Sequence, residues 1–303
     1  MCNPKITVVV PLFNKQQSVS RCLNSIVGQT KPADQIIVVD DGSTDESAAI
    51  VSSQFGAQVD LVQQPNGGVS SARNTGLNQA KYQYVAFLDA DDEWHPEFLE
   101  EIHQLIHTFP TASLYGTAYV FMRDQTYIRP RLHVKKHEHR LLLANYFKRI
   151  AKHDLLFNAS SVCLNKRFTE RYGNFPIGEP MGEDQDLWNR AALHGSIAYS
   201  TKSLATYHLA AENRACQACV PKQECNFSKR LAIAATRSQP GLARSLRQCC
   251  ANHLLDLVRR NFMAGDIRTV KTLLRDPRAR LHPLRWGFWS VRLLWARLQN
   301  QPG

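Results

Sequence analysis

Read from the N-terminus, the chain alternates short apolar runs with amphipathic stretches. Ile6-Thr7-Val8-Val9-Val10 has strand character and is closed by Pro11. Residues 18–28 place Val19, Cys22, Leu23 and Ile26 on one side of a predicted helix. A second apolar run at 35–39 enters the turn Asp40-Asp41-Gly42-Ser43-Thr44-Asp45, which carries its own N-cap for a helix over 46–55. A strand at 59–62, the loop Pro65-Asn66-Gly67-Gly68, a helix over 70–80 and a buried strand over 84–88 follow. This β-α-β-α-β-α-β series predicts an α/β fold with a doubly wound, mostly parallel sheet.

Beyond Pro96 the pattern predicts a helix to about residue 107 and a less regular β region over 112–140. Leu114-Tyr115-Gly116 and Tyr119-Val120-Phe121-Met122 are the strand candidates there. A helix over 141–152, a return to the sheet at 158–165, a helix within 182–194 and a strand within 197–206 come next. From about Lys222 the pattern is helical only. The reading divides the chain into an α/β domain over 1–214, with halves 1–110 and 111–214, and a helical extension over 215–303.

Charge sharpens that division. The net charge is +11, and residues 215–303 carry 16 Lys+Arg against 4 Asp+Glu. Residues 1–214 carry 21 against 22, so the whole excess belongs to the extension. A basic segment on a near-neutral domain implies an anionic partner: membrane lipid, nucleic acid or an acidic protein. The 303 residues are 44% apolar, enough for an ordinary core. The N-terminus runs into a strand with no apolar stretch of signal-peptide length, and no apolar run is long enough to span a bilayer. The eight cysteines are scattered, which suits a reducing cytoplasm. Cys216, Cys219 and Cys225 supply three thiols where structural zinc wants four ligands, so free cysteines are expected.

The densest chemistry is Phe87-Leu88-Asp89-Ala90-Asp91-Asp92-Glu93-Trp94, an apolar run that ends in carboxylates. Ligands bind beyond the carboxyl ends of parallel strands. Clustered carboxylates there call for a cation, and oxygen donors suit Mg²⁺ or Mn²⁺ aided by a ligand's phosphates. The alternative is a solvated acidic turn that caps the next helix. Pro11-Leu12-Phe13-Asn14 suits stacking and edge-on hydrogen bonding to a planar base, or is a plain βα turn. Asp40-Asp41 offers an acceptor for a base or ribose, or caps a helix. Gly67-Gly68 before a helix lets backbone N–H groups approach an anion, with Arg73 one turn in. Gly182-Glu183-Asp184-Gln185-Asp186-Leu187-Trp188 puts acids at a helix start, where they favour the dipole or serve as a general base.

Taken together, in this order and at this spacing, these segments resemble the inverting glycosyltransferases of family 2, over about residues 5–210. The resemblance implies the GT-A fold, a nucleotide-sugar donor (UDP the expected carrier) and a hydroxyl of a glycan or lipid-linked acceptor. It implies cell-surface polysaccharide synthesis and a Mn²⁺ or Mg²⁺ cofactor, with no nucleic acid partner. It places Pro11, Phe13 and Asn14 around the nucleobase, Asp41 on the base, Arg73 over the base or the diphosphate, and Gly68 among the substrate-binding residues. Asp89-Ala90-Asp91 becomes the DXD motif, with Asp91 on the metal, Asp89 on ribose or the metal's waters, and His208 a further metal candidate. Asp184 becomes the catalytic base, with Glu183 and Trp188 beside the substrate.

Two other functions compete. A sugar-nucleotide nucleotidyltransferase would carry a basic glycine-rich loop after the first strand, where Pro11-Leu12-Phe13-Asn14 stands. A non-catalytic adaptor would keep the fold and bind partners through the tail. In that tail Leu284, Phe288, Val291, Trp295 and Leu298 fall on one helical stripe flanked by Arg285 and Arg292. The stripe fits a membrane interface or packs on protein. The expected location is the cytoplasm, peripheral on the inner face of the membrane.

Overall fold

The computed structural model describes residues 3–132, 139–212 and 220–299. Strands β1 (Ile6–Leu12), β2 (Gln35–Asp40), β3 (Asp60–Gln63) and β4 (Tyr84–Phe87) run parallel, in the spatial order β3-β2-β1-β4. Every residue of β1 is buried, as a central strand covered on both faces requires. Strand β5 is Glu93–Trp94, β6 is Leu114–Arg123, β7 is Thr126–Ile128, β8 is Arg140–Leu142, β9 is Val162–Asn165 and β10 is Ile197–His208. The sheet continues β4-β9-β6-β10-β5, with β9 antiparallel to β4 and β6, and β10 parallel to β6.

Helices α1 (Val19–Val27), α2 (Ser47–Phe55), α3 (Val69–Gln79) and α4 (Phe98–Thr108) flank the sheet, and α1 buries Val19, Cys22, Leu23 and Ile26 as its periodicity predicts. Gly76 lets α3 lie close on β1, since a Cβ there would meet Val9 Cγ1 at 2.3 Å. Helices α6 (Lys166–Tyr172) and α7 (Glu183–His194) follow β9. The doubly wound, mostly parallel architecture expected from the sequence is the observed one.

One predicted element is wrong. Residues 141–152 are not one continuous helix. Arg140–Leu142 is strand β8, antiparallel to β10, and the helix α5 covers only Tyr146–Ile150. The run Leu141-Leu142-Leu143 serves either state, and pairing with β10 decides it. Arg140 is held by Glu101 at 2.7 and 2.9 Å, and Asn145 turns into the left-handed region (φ +59°), which ends the extended segment. Strand β6 is also continuous where two shorter strands were expected.

The chain divides into two compact units. One comprises Met1–Ala144, Asp154–Gly178 and Glu183–Arg214, and holds the sheet. The other comprises Asn145–His153, Glu179–Gly182 and Ala215–Gly303. Its helices are α5, α8 (Asn226–Thr236), α9 (Pro240–Met263), α10 (Ile267–Arg275) and α11 (Pro283–Gln299). Leu254, Leu257 and Val258 of α9, Val270 and Leu273 of α10, and Trp289 and Leu293 of α11 share one apolar cluster. Cys216 and Cys219 lie outside the described residues, and Cys225, Cys249 and Cys250 are free thiols.

Candidate active site

The turns that follow β1 and β2 are stitched to each other. Asn14 adopts φ +51°, its N–H donates to Ser43 Oγ at 3.0 Å, and its Oδ1 accepts from Thr44 N at 2.8 Å. Asp40 accepts from Ser43 N at 3.0 Å and from Gln63 at 3.2 Å, so it holds its own turn. Asp41 is buried and holds the glycine loop. Gly67 N donates to Oδ1 at 3.0 Å, Gly68 N to Oδ2 at 2.7 Å, and Gln64 Nε2 to Oδ1 at 2.6 Å. The anion that the glycine N–H groups approach is thus Asp41 itself. Gly68 takes φ +84° with open space in front of its Cα, which keeps the mouth of this loop clear. Phe13 is 41% exposed at the end of β1, free to stack. Pro11 lies buried within β1, opposite Val39.

A second group gathers around Arg73. This guanidinium is 3% exposed, with Nη2 at 2.8 Å from Asp89 Oδ1 and Nη1 at 2.9 Å from Glu183 Oε1. It also stands 5.5 Å from the Phe175 ring centroid. Burial works against its charge, and Asp89, Glu183 and Asp184 overcome this and raise its pKa above the ordinary arginine value. One buried fork thereby ties the end of β4 to the start of α7. The sequence expectation of an arginine over the donor becomes a positioning role, since both of its Nη nitrogens face protein carboxylates. Asn74, next along α3, locks the segment before α7 by a reciprocal pair with the Phe175 backbone at 2.8 and 3.0 Å.

Asp184 sits in the first turn of α7, partly buried, and accepts from Gln185 N at 2.6 Å. Its pKa is pushed up to about 7, first by burial and then by the neighbouring Glu183 and Asp89, with Arg73 pulling the other way. A carboxylate tuned to neutrality is poised to take up and release a proton at working pH. Trp188, one turn further on, is buried at 1% exposure against Phe157 and Phe175, so it packs the core under the site and does not line it. Ala90 is likewise buried.

The acidic turn after β4 is clamped from several sides. Ser160 Oγ accepts from Asp89 N at 3.2 Å and donates to buried Asp92, whose other oxygen accepts from His208 N at 3.1 Å. Burial, then Asp91 and Asp89, raises the Asp92 pKa well above the ordinary range. Arg21 Nη2 donates to the Asp91 carbonyl at 2.6 Å. The Asp91 carboxylate is met by Lys15 Nζ at 2.7 Å, and that ammonium also donates to the Glu212 carbonyl.

The three expected metal ligands do not converge. Asp89 pairs with Arg73, Asp91 with Lys15, and His208 Nε2 lies 3.3 Å from Glu93 Oε1. Among the described residues no three His, Cys, Asp or Glu side chains are grouped to hold a metal ion. A lone carboxylate at a strand end is a donor set that Mg²⁺ can share with a ligand's phosphates and water.

The sequence model of the family described as glycosyl transferase family 2 matches residues 7–171. The chain belongs to that family. Among its relatives, the glycosyltransferase GlyA of Streptococcus pneumoniae is 30% identical over 218 residues, 69% of this chain and 31% of GlyA. The succinoglycan biosynthesis protein ExoW of Rhizobium meliloti is 38% identical over 112 residues, 35% of each chain. The matches thus span less than two thirds of these relatives' own length. The crystal structure of S. aureus TarS 1-349 in complex with UDP-GlcNAc covers 98% of this chain and 92% of that one, with TM-score 0.66 at 18% identity. That likeness establishes the fold, and the GT-A architecture expected for a family-2 glycosyltransferase is present here with its helical C-terminal segment.

The site also uses Lys15, Ser160 and Glu212, which lie outside the sequence motifs, and Asn74, which closes the motif that begins at Gly67. Lys15 directly follows Asn14, and that adjacency is its only signal in the sequence. Ser160 and Glu212 carry none, because only tertiary folding brings them to the acidic turn.

Proposed function

We propose that this chain transfers a sugar from a nucleoside diphosphate donor, with UDP as carrier, to a hydroxyl of a glycan or lipid-linked acceptor in polysaccharide synthesis. The environment of Asp184 carries this reading: a carboxylate raised to about 7, beside a strand-end acidic motif to which Arg73 ties its neighbour Glu183. Asp184 takes the proton of the acceptor hydroxyl. The acceptor oxygen bonds to the anomeric carbon as the bond from that carbon to the diphosphate breaks, and the nucleotide leaves with the electron pair. A single displacement inverts the anomeric centre, so no nucleophilic Ser or Cys is required. The base is stacked by exposed Phe13, while Asp41 fixes the glycine loop that frames it. Asp91 would hold Mn²⁺ or Mg²⁺ together with diphosphate oxygens, and such an ion supplies neutralisation of the leaving group's charge. Lys15 then exchanges its partner Asp91 for the diphosphate. UDP-GlcNAc bound to TarS supports the choice of carrier.

The test is a panel of nucleotide sugars assayed for donor hydrolysis, water standing in for the acceptor. Turnover of one UDP-sugar is expected. Turnover of none, with intact binding of a nucleoside triphosphate and pyrophosphate release, would move the chain to the nucleotidyltransferases.

A further inference from the structure

Helix α11 has two apolar faces, and its own unit uses one of them. Trp289 and Leu293 point into the cluster with α9 and α10, and Trp286 packs beside them. At 100° per residue, Leu284, Phe288, Val291 and Trp295 fall within an arc of about 60° on the opposite side. Their exposures are 89%, 53%, 65% and 65%, and Leu294 beside them is 58% exposed. A surface helix ordinarily turns a polar face outward. Here the outward face is leucine, phenylalanine, valine and tryptophan.

The charge around this face is predominantly positive, and Asp256, the acid near Arg285, is paired with Arg259 and Arg260. Arg285 and Arg292 are exposed along one edge of the stripe. The Arg292 guanidinium stands 5.4 Å from the Phe262 ring centroid and 5.8 Å from that of Phe288, at the margin of the apolar surface. Residues 267–299 contain eight Lys and Arg and a single acid, Asp276, which pairs with Arg278 at 2.6 Å. A second copy of the chain seated on this face would bring like charges together, since a two-fold interface apposes the same patch. No described helix is long and apolar enough to cross a membrane.

We propose that the outward face of α11 docks on an anionic lipid surface. The side chains of Leu284, Phe288, Val291 and Trp295 enter the acyl boundary, and Arg285 and Arg292 meet the headgroup phosphates. Apolar burial and attraction to anionic lipid add in such helices. The inference is independent of sugar transfer, because vesicle binding is read without donor or acceptor.

Sedimentation of the full chain with vesicles tests it, using phosphatidylcholine alone and phosphatidylcholine mixed equally with phosphatidylglycerol. Binding is expected on the anionic vesicles only, weakening as salt rises. The double variant Phe288→Ser/Trp295→Ser is expected to bind at least about tenfold more weakly, with an unchanged circular dichroism spectrum, because both side chains are exposed. Arg285→Glu/Arg292→Glu should lose binding as well. Trp295→Phe should bind like the parent, but with less fluorescence quenching by brominated lipid. Absence of binding to the anionic vesicles, or binding unchanged in both double variants, overturns the proposal. So does a dimer that Phe288→Ser/Trp295→Ser dissolves while vesicles are ignored, since the occupant is then a second copy.

Discussion

Asp41 and Asp184 carry the same carboxyl group in the same α/β unit and are put to opposite uses. Asp41 receives two backbone N–H groups and the Gln64 amide, so its charge is answered by donors on every side. Asp184 receives one backbone N–H and stands beside Glu183, within the field of Asp89. Donors on both oxygens make the Asp41 carboxylate a fixed tie for the glycine loop. Acid-crowded burial raises the proton affinity of Asp184 and makes it a base. The contrast separates holding from reacting in a site where both are done by aspartate.

Breaking the reacting side has the largest effect. Asp184→Asn should lower kcat about 10²–10⁴-fold, the range of a lost general base, while donor affinity by calorimetry stays within a few-fold. Next comes the fork that links the two acidic segments. Arg73→Met leaves Asp89 and Glu183 without their buried partner and should lower stability to urea by about 3 kcal/mol. The same change removes the group that holds the Asp184 pKa down, so the acid limb of activity should move to higher pH. On the holding side, Asp41→Ala strands three donors and should cost about 2 kcal/mol, with weaker donor binding as the glycine loop loosens.

Glu101 provides the control with the smallest effect. Burial would raise its pKa, but hydrogen bonds from Arg140, Ser200 and Lys202 prevail and hold it at about 2. The folded value is depressed, so this stabilisation is complete above the ordinary glutamate range and lost as pH falls toward 2. Glu101→Gln should cost about 1–2 kcal/mol at neutral pH and leave the pH dependence of activity untouched.

Much of this arrangement is legible before folding. The apolar runs at 6–10, 35–39 and 84–88 have no other good use than a buried parallel sheet, and the acids at 89–93 must then emerge at its carboxyl end. What sequence cannot show is which polar groups meet. Gly67 and Gly68 suggest an anion, and only the fold reveals that the anion is Asp41. Arg73 is a surface arginine by its pattern, yet Asp89 and Glu183 draw it into the interior. Trp188 stands in an acidic motif and is core because Phe157 and Phe175 close over it. The segment 141–152 departs from its helical period because local periodicity carries no information about the free edge of β10, to which β8 is added.

The pH dependence of donor hydrolysis tests the role of Asp184 most directly. The base must be ionised to accept a proton, so kcat should rise as pH climbs through about 7. In Glu183→Gln, which removes a neighbouring negative charge, that rise should move to lower pH. A rate that is flat through neutrality, or a limb that Glu183→Gln leaves in place, would contradict the assignment of Asp184 as the base.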